Sequence, residues 1–201
     1  MRAWYPRMAE VKGVGFSGSP DVDRSRLPET HIRPSKTDYG GISWPIANGS
    51  TSESPASARA FADMRDMDIP SLIRWVWEGL EIPGTVSDYH FLLQSAIARL
   101  WSARASDPSG LRFLEVFADL DLRLIEAAPR PFLIDEDDTS KGYFHFSGVA
   151  TWVTLLQTEG ALREALAINR RLQRFHEGYR LETLEAKIAA LDEEARCTGL
   201  A

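Results

Sequence analysis

One stretch, from about residue 108 to 127, constrains this chain more than any other. Leu111, Phe113, Leu114, Val116, Phe117, Leu120, Leu122, Leu124 and Ile125 make it almost continuously apolar. The polar residues within it, Arg112, Glu115, Asp119, Arg123 and Glu126, are spaced 3, 4, 4 and 3. On a helix that spacing draws one narrow stripe. A helix with a single polar stripe must be covered on its other sides, so it predicts a central helix with others packed around it. Asp107-Pro108 supplies its start, with Asp as cap and Pro in the first turn. Ala127-Ala128-Pro129-Arg130-Pro131 ends it.

The flanking sequence offers partners of the same kind. Ala56 to Met67 reads as a short helix. Asp68-Ile69-Pro70 starts another, with Ile69, Leu72, Ile73, Val76 and Leu80 on one face and Trp75 and Trp77 beside it as core. Thr85 and Asp88 have the spacing of a capping box before helix 86–105, whose stripe runs Tyr89, Leu92, Leu93, Ala96, Leu100, Ala103. Helix 147–158 shows Val149, Trp152, Val153 and Leu156, and helix 161–176 shows Ala165, Ile168, Leu172 and Phe175. The last helix, 179–196, carries Leu181, Leu184, Ile188, Leu191 and Ala195. That narrow seam is about two heptads long. It suits a docked terminal helix, with a homodimer through 181–195 as the alternative.

Residues 1–55 have a different texture. They hold six of the 14 Gly and six of the 11 Pro, and no apolar period survives across them. They read as an irregular or flexible N-terminal segment, with residues 56–201 as the helical domain. Five aromatics complicate a floppy arm, and Tyr39 to Ile46 could dock on the helices with Trp44 as anchor. The formal Gly13-x-Gly15-x-x-Gly18 match to a dinucleotide fingerprint has no strand before it and Ser19-Pro20 after it, so it predicts no cofactor.

Charge narrows the partners. The chain carries 23 basic and 29 acidic residues, a net of −6, and the acidic excess falls in the helical part. An acidic body repels phosphate backbones and disfavours nucleic acid. No stretch approaches a membrane span, and the start lacks the apolar run of a signal peptide. With one cysteine, Cys197, the expected location is cytoplasmic.

The segment Leu155-Leu156-Gln157-Thr158-Glu159-Gly160-Ala161-Leu162-Arg163-Glu164-Ala165-Leu166 resembles the turn of a tetratricopeptide repeat. Gly160 stands at the turn, Leu162 replaces the usual aromatic and Ala165 takes the small packing position. Val153, Asn169 and Glu177 depart from the pattern. The resemblance covers one unit, about 147–176, and implies antiparallel helical hairpins that bind a protein or peptide.

Catalytic and metal motifs are missing from the sequence. His31, His90, His145 and His176 form no i, i+4 pair and no H-E-x-x-H. The run Asp135-Glu136-Asp137-Asp138 lacks the spacing of a Ca²⁺ loop and reads as a solvated loop. No cofactor or metal is expected, and no catalytic residue is assigned. Asp121 breaks the local rule, because it projects from the apolar face opposite the polar stripe. Its expected partner is Arg99, Arg104 or a residue of the N-terminal segment. Arg163, Arg170 and Arg174 share one helix face and form the densest basic patch.

The reading is therefore an all-α chain, built as tetratricopeptide-like hairpins or an irregular helical bundle. Its expected role is a non-enzymatic protein- or peptide-interaction module. The alternatives are a small helical enzyme with Asp121 in a polar pocket, or a DNA-associated regulator using Arg163, Arg170 and Arg174.

Overall fold

A computed structural model describes residues 5–128 and 145–197. Among these, seven helices carry the fold: α1 (Pro55–Ala60), α2 (Ile69–Leu80), α3 (Val86–Ala103), α4 (Leu111–Ala127), α5 (Ser147–Thr158), α6 (Leu162–Gln173) and α7 (Glu182–Cys197). The architecture is all-α, with an irregular N-terminal segment. The acidic run at 135–138, together with Tyr143 and Phe144, lies outside the described residues.

The stripe argument holds for α4. Leu114, Phe117, Ala118 and Leu124 face a core shared with α1, α2 and α3. Leu122 and Ile125, on another side, face a second cluster with Phe146, Val149 and Leu172. The helix is apolar nearly all round because it is the wall between two cores. Val116 departs from the reading: it sits between the polar residues and is 43% exposed.

Side-chain caps set where the helices begin. The Thr85 and Asp88 side chains form the expected capping box on α3, at 3.2 and 2.7 Å. Asp88 also accepts from the Ser54 hydroxyl at 2.7 Å, and Ser54 in turn caps α1. One carboxylate thus ties two helix starts together. Asp68 caps α2 with Pro70 in its first turn. Asp107 caps a single 3-10 turn, Pro108–Gly110, that leads into α4. The first helix is shorter than expected. It stops at Ala60, because the Asp63 carboxylate bonds the Arg65 backbone N–H and side chain and holds a local turn instead.

Residues 5–34 pack on the helices through Met8, Val14 and Leu27, while 35–53 are mostly exposed apart from Trp44. They contain 3-10 turns at Met8–Glu10, Arg24–Arg26 and Pro28–His31, and a small antiparallel sheet in the order β1 (Ser35–Lys36), β2 (Ile42–Ile46), β3 (Gly49–Thr51). The sequence reading assigned no strands here. Strands this short show almost no alternation, so period-2 patterning has nothing to report. Met8, Val14 and Leu27 are buried in the same core as α1–α4, and the Phe16 ring stacks on Trp77 at 6.3 Å. Trp44 is 1% exposed and meets Tyr5 edge-on at 4.8 Å. Gly13, Gly15 and Gly18 all have positive φ. Their spacing serves a winding backbone, the same freedom a nucleotide loop would use.

Buried charges hold this segment down. Glu81, just past the end of α2, is 2% exposed. Its Oε2 meets Arg7 Nη1 at 2.6 Å, and its Oε1 accepts the Ser19 backbone N–H at 2.6 Å. The single Tyr89 hydroxyl proton, on α3, is shared between the carbonyl oxygens of Ile82 and Pro6. Arg59, on α1, is 8% exposed and sits between Glu29 at 3.0 Å and Glu78 at 2.9 Å.

The C-terminal helices form a smaller core. Val153, Leu156, Ala165 and Leu166 of α5 and α6 surround Leu184 and Ile188 of α7. The first half of the terminal seam is therefore covered within the chain, while Leu191 is 46% exposed. Among the described residues no helix is long and apolar enough to cross a membrane.

Removing the Glu81 carboxylate strands Arg7 and an amide that have no other acceptor of equal quality. Glu81→Ala is expected to lower stability by about 3 kcal/mol in urea titration. Limited proteolysis should then cut within residues 5–35 before it cuts the helices.

Candidate functional site

A polar centre inside the helical body joins α3, α4 and α5. His90 and Gln94 lie four residues apart on α3, so their side chains share a face. Asp121 comes from α4, opposite its polar stripe. Ser147 opens α5, and the His145 carbonyl precedes it.

These groups form a continuous chain of hydrogen bonds. His90 Nδ1 lies 2.7 Å from Asp121 Oδ1. Gln94 Nε2 lies 2.6 Å from His90 Nε2 and also donates to the His145 carbonyl. The Ser147 hydroxyl donates to Gln94 Oε1 at 2.6 Å. The His145 carbonyl can only accept, and this fixes the Gln94 atom facing it as the amide nitrogen. Nε2 of Gln94 is then a donor to both its neighbours, so His90 Nε2 accepts and His90 Nδ1 carries the proton given to Asp121. Phe91 and Phe146 ring the imidazole at 5.3 and 6.0 Å.

The pair is closed to solvent, with His90 1% and Asp121 0% exposed. Burial pushes the Asp121 carboxyl above its ordinary value, and His90 beside it pulls it partly back. Asp121 Oδ2 has no hydrogen-bond partner among the described residues.

The expected partner of Asp121 was wrong, and helix geometry says why. In an antiparallel hairpin, residues equidistant from the turn lie opposite one another. The α3–α4 connection is centred on residue 107, which sets 121 against about 93, within one helical turn of His90. Arg99 lies nine residues from His90, about 13 Å along the axis at 1.5 Å per residue. It donates instead to the Met67 carbonyl, and Arg104 donates to that of Trp101. Reflection through the turn was available in the sequence as a signal for the turn of α3 that holds His90, though not for His90 itself.

Ion pairs engage part of the basic face. Arg163 pairs with Asp192 of α7, and the nearby Arg171 and Arg180 pair with Glu126 and Glu185. Arg170 and Arg174 are exposed and make no ion pair among the described residues. Among the described residues, no group of three or more His, Cys, Asp or Glu could hold a metal ion.

Two cavities lie elsewhere, along the N-terminal segment. One groove of about 440 Å³ runs between residues 20–27 and α2, floored by Leu27, Ile73, Trp77 and Phe113. Its rim carries both signs of charge, with Arg26 and Arg74 among Asp21, Asp23 and Glu78. A second cavity, about 230 Å³, opens beside Trp44 and Pro83. Comparison of the chain with protein-family models, with curated proteins and with solved structures finds no match.

The Asp121 carboxyl has a raised folded-state value, so its contribution to stability is full below the ordinary 3.8 and is lost as pH rises through the raised value. The stability of Asp121→Asn relative to the parent chain should therefore increase as pH rises from below 3.8 toward neutrality. Urea titrations of both chains across that range check it. Asp121→Ala, which leaves the buried imidazole N–H unpaired, should cost about 2 kcal/mol at neutral pH.

Proposed function

We propose that this chain is a non-enzymatic protein- or peptide-interaction module built on helical hairpins. The groove between residues 20–27 and α2 carries the reading. Its apolar floor of Trp77, Ile73 and Phe113, ringed by charges of both signs, suits a peptide with one large apolar side chain flanked by charged residues. Aromatic floors of this kind anchor partner side chains with most of the binding energy.

The polar centre favours the same conclusion. Catalysis through Asp121 requires substrate contact, and both Asp121 and His90 are sealed beneath side chains. The α5–α6 hairpin, with Gly160 at its turn at φ 82° and Ala165 fully buried, has the local features behind the tetratricopeptide resemblance. Such hairpins are scaffolds for partner binding, so the resemblance supports this reading. A lone, exposed Cys197 suits a reducing compartment, and the cytoplasm is the location we assign.

A partner seated in the groove should be captured by a photo-crosslinking residue placed at Phe113. Ile73→Asp should cut that capture at least about tenfold while circular dichroism shows the chain still helical. Arg170→Glu with Arg174→Glu should leave it intact. Capture that survives Ile73→Asp, or that fails only in the arginine variant, removes the groove from the interaction.

A further inference from the structure

The second cavity is separate from that groove and has a different chemistry. It lies where the N-terminal segment meets the end of α2, and three guanidiniums line it: Arg7, Arg24 and Arg33. This is a cationic concentration in a chain of net charge −6. Two carboxylates, Glu10 and Glu81, also line it.

Glu81 does not neutralise the whole group. It is 2% exposed, and both its oxygens are engaged, by Arg7 Nη1 at 2.6 Å and by the Ser19 amide at 2.6 Å. Arg24 Nε approaches it only to 3.6 Å. Glu10 is a neighbour of Arg7, at 3.5 Å. Arg33 is different. Its Nη1 donates to the carbonyl oxygens of Thr30 and Ile32, each at 2.8 Å, and it makes no ion pair among the described residues. Two backbone acceptors thus hold a full positive charge in place and leave the rest of the guanidinium fork available. A fork held in advance loses little entropy when it grips an anion.

The remaining wall is flat and apolar. Tyr5 is half-buried and seated edge-on against Trp44, and Pro34 and Pro83 complete that side. At about 230 Å³ the cavity is smaller than the roughly 300–1,000 Å³ of sites for drug-sized ligands. It has room for one ring and a charged group.

We propose that this cavity binds a small organic anion, a single planar ring bearing a carboxylate or a phosphate, with the anionic group on Arg33 and Arg24 and the ring against Tyr5. A fork-shaped guanidinium matches both carboxylate and phosphate oxygens. The ring gains contact area with the aromatic wall.

Calorimetry on the full chain at low ionic strength tests this with four probes: benzoate, phenyl phosphate, inorganic phosphate and benzyl alcohol. Benzoate or phenyl phosphate should bind with Kd below about 1 mM, and whichever is tighter identifies the anionic group. Benzyl alcohol should bind at least about tenfold more weakly, and so should inorganic phosphate. Arg33→Gln, at an exposed position, should weaken the better probe about tenfold, while Arg26→Gln outside the cavity should not change it. Should Arg33→Gln fail to fold, Arg24→Gln serves in its place. No binding of either ring anion up to about 10 mM overturns the proposal. So does equal binding of benzyl alcohol or inorganic phosphate, or an equal loss in Arg26→Gln.

Discussion

The structure depends on a single constraint, the need to cover α4 on every side but one. An exposed apolar helix face of that size has no stable existence in water. Helix α3 covers one flank, α5 another, and the N-terminal segment crosses near the end, where Gly13 comes close to Ala127. Each of these elements is marginal alone. A 12-residue helix such as α5 gains its order from the surface it covers. The same holds for residues 5–55, whose Met8, Val14 and Leu27 complete a core that the helices leave open.

Apolar contact alone leaves the register of packed helices loose, because one leucine substitutes well for another. The polar chain through Ser147, Gln94, His90 and Asp121 has only one register in which every link is made. Its His90–Asp121 link, between α3 and α4, lies at a depth where an unmade bond is costly. Glu81 and Arg59 play the corresponding part at the other end. They fasten the N-terminal turns to α1 and α2 through bonds that a slipped arrangement would lose. Two of the open cavities lie along that second boundary, where irregular backbone meets helix.

Much of the helical frame was legible in the residues. The caps at Asp68, Thr85 and Asp107 are local chemistry, and each appears where its side chain and spacing place it. Helix α5 has the expected bounds, 147–158, with Val149, Val153 and Leu156 of its stripe buried and Leu155 joining them. The first helix was overextended because Asp63, a polar residue in an amphipathic pattern, prefers its own turn. Asp121 stood out as a carboxylate on an apolar face, and that anomaly was real. Its partner was misassigned, since charge suggested arginine while hairpin register supplied His90. Glu81 gave no signal at all. A glutamate after a helix end looks solvated until Arg7 and Ser19 arrive from more than sixty residues away.

Local pattern by itself determined that this chain is helical, where its helices start, and that α4 lies at the centre. Those properties follow from period and capping, which act within a few residues. The path of residues 5–55, the burial of Glu81 and Arg59, and the pairing of His90 with Asp121 were decided only in three dimensions. Each joins groups far apart in sequence, and neither periodicity nor composition carries the distance between them. The cavities belong to this second class too, since a concavity exists only between surfaces already packed.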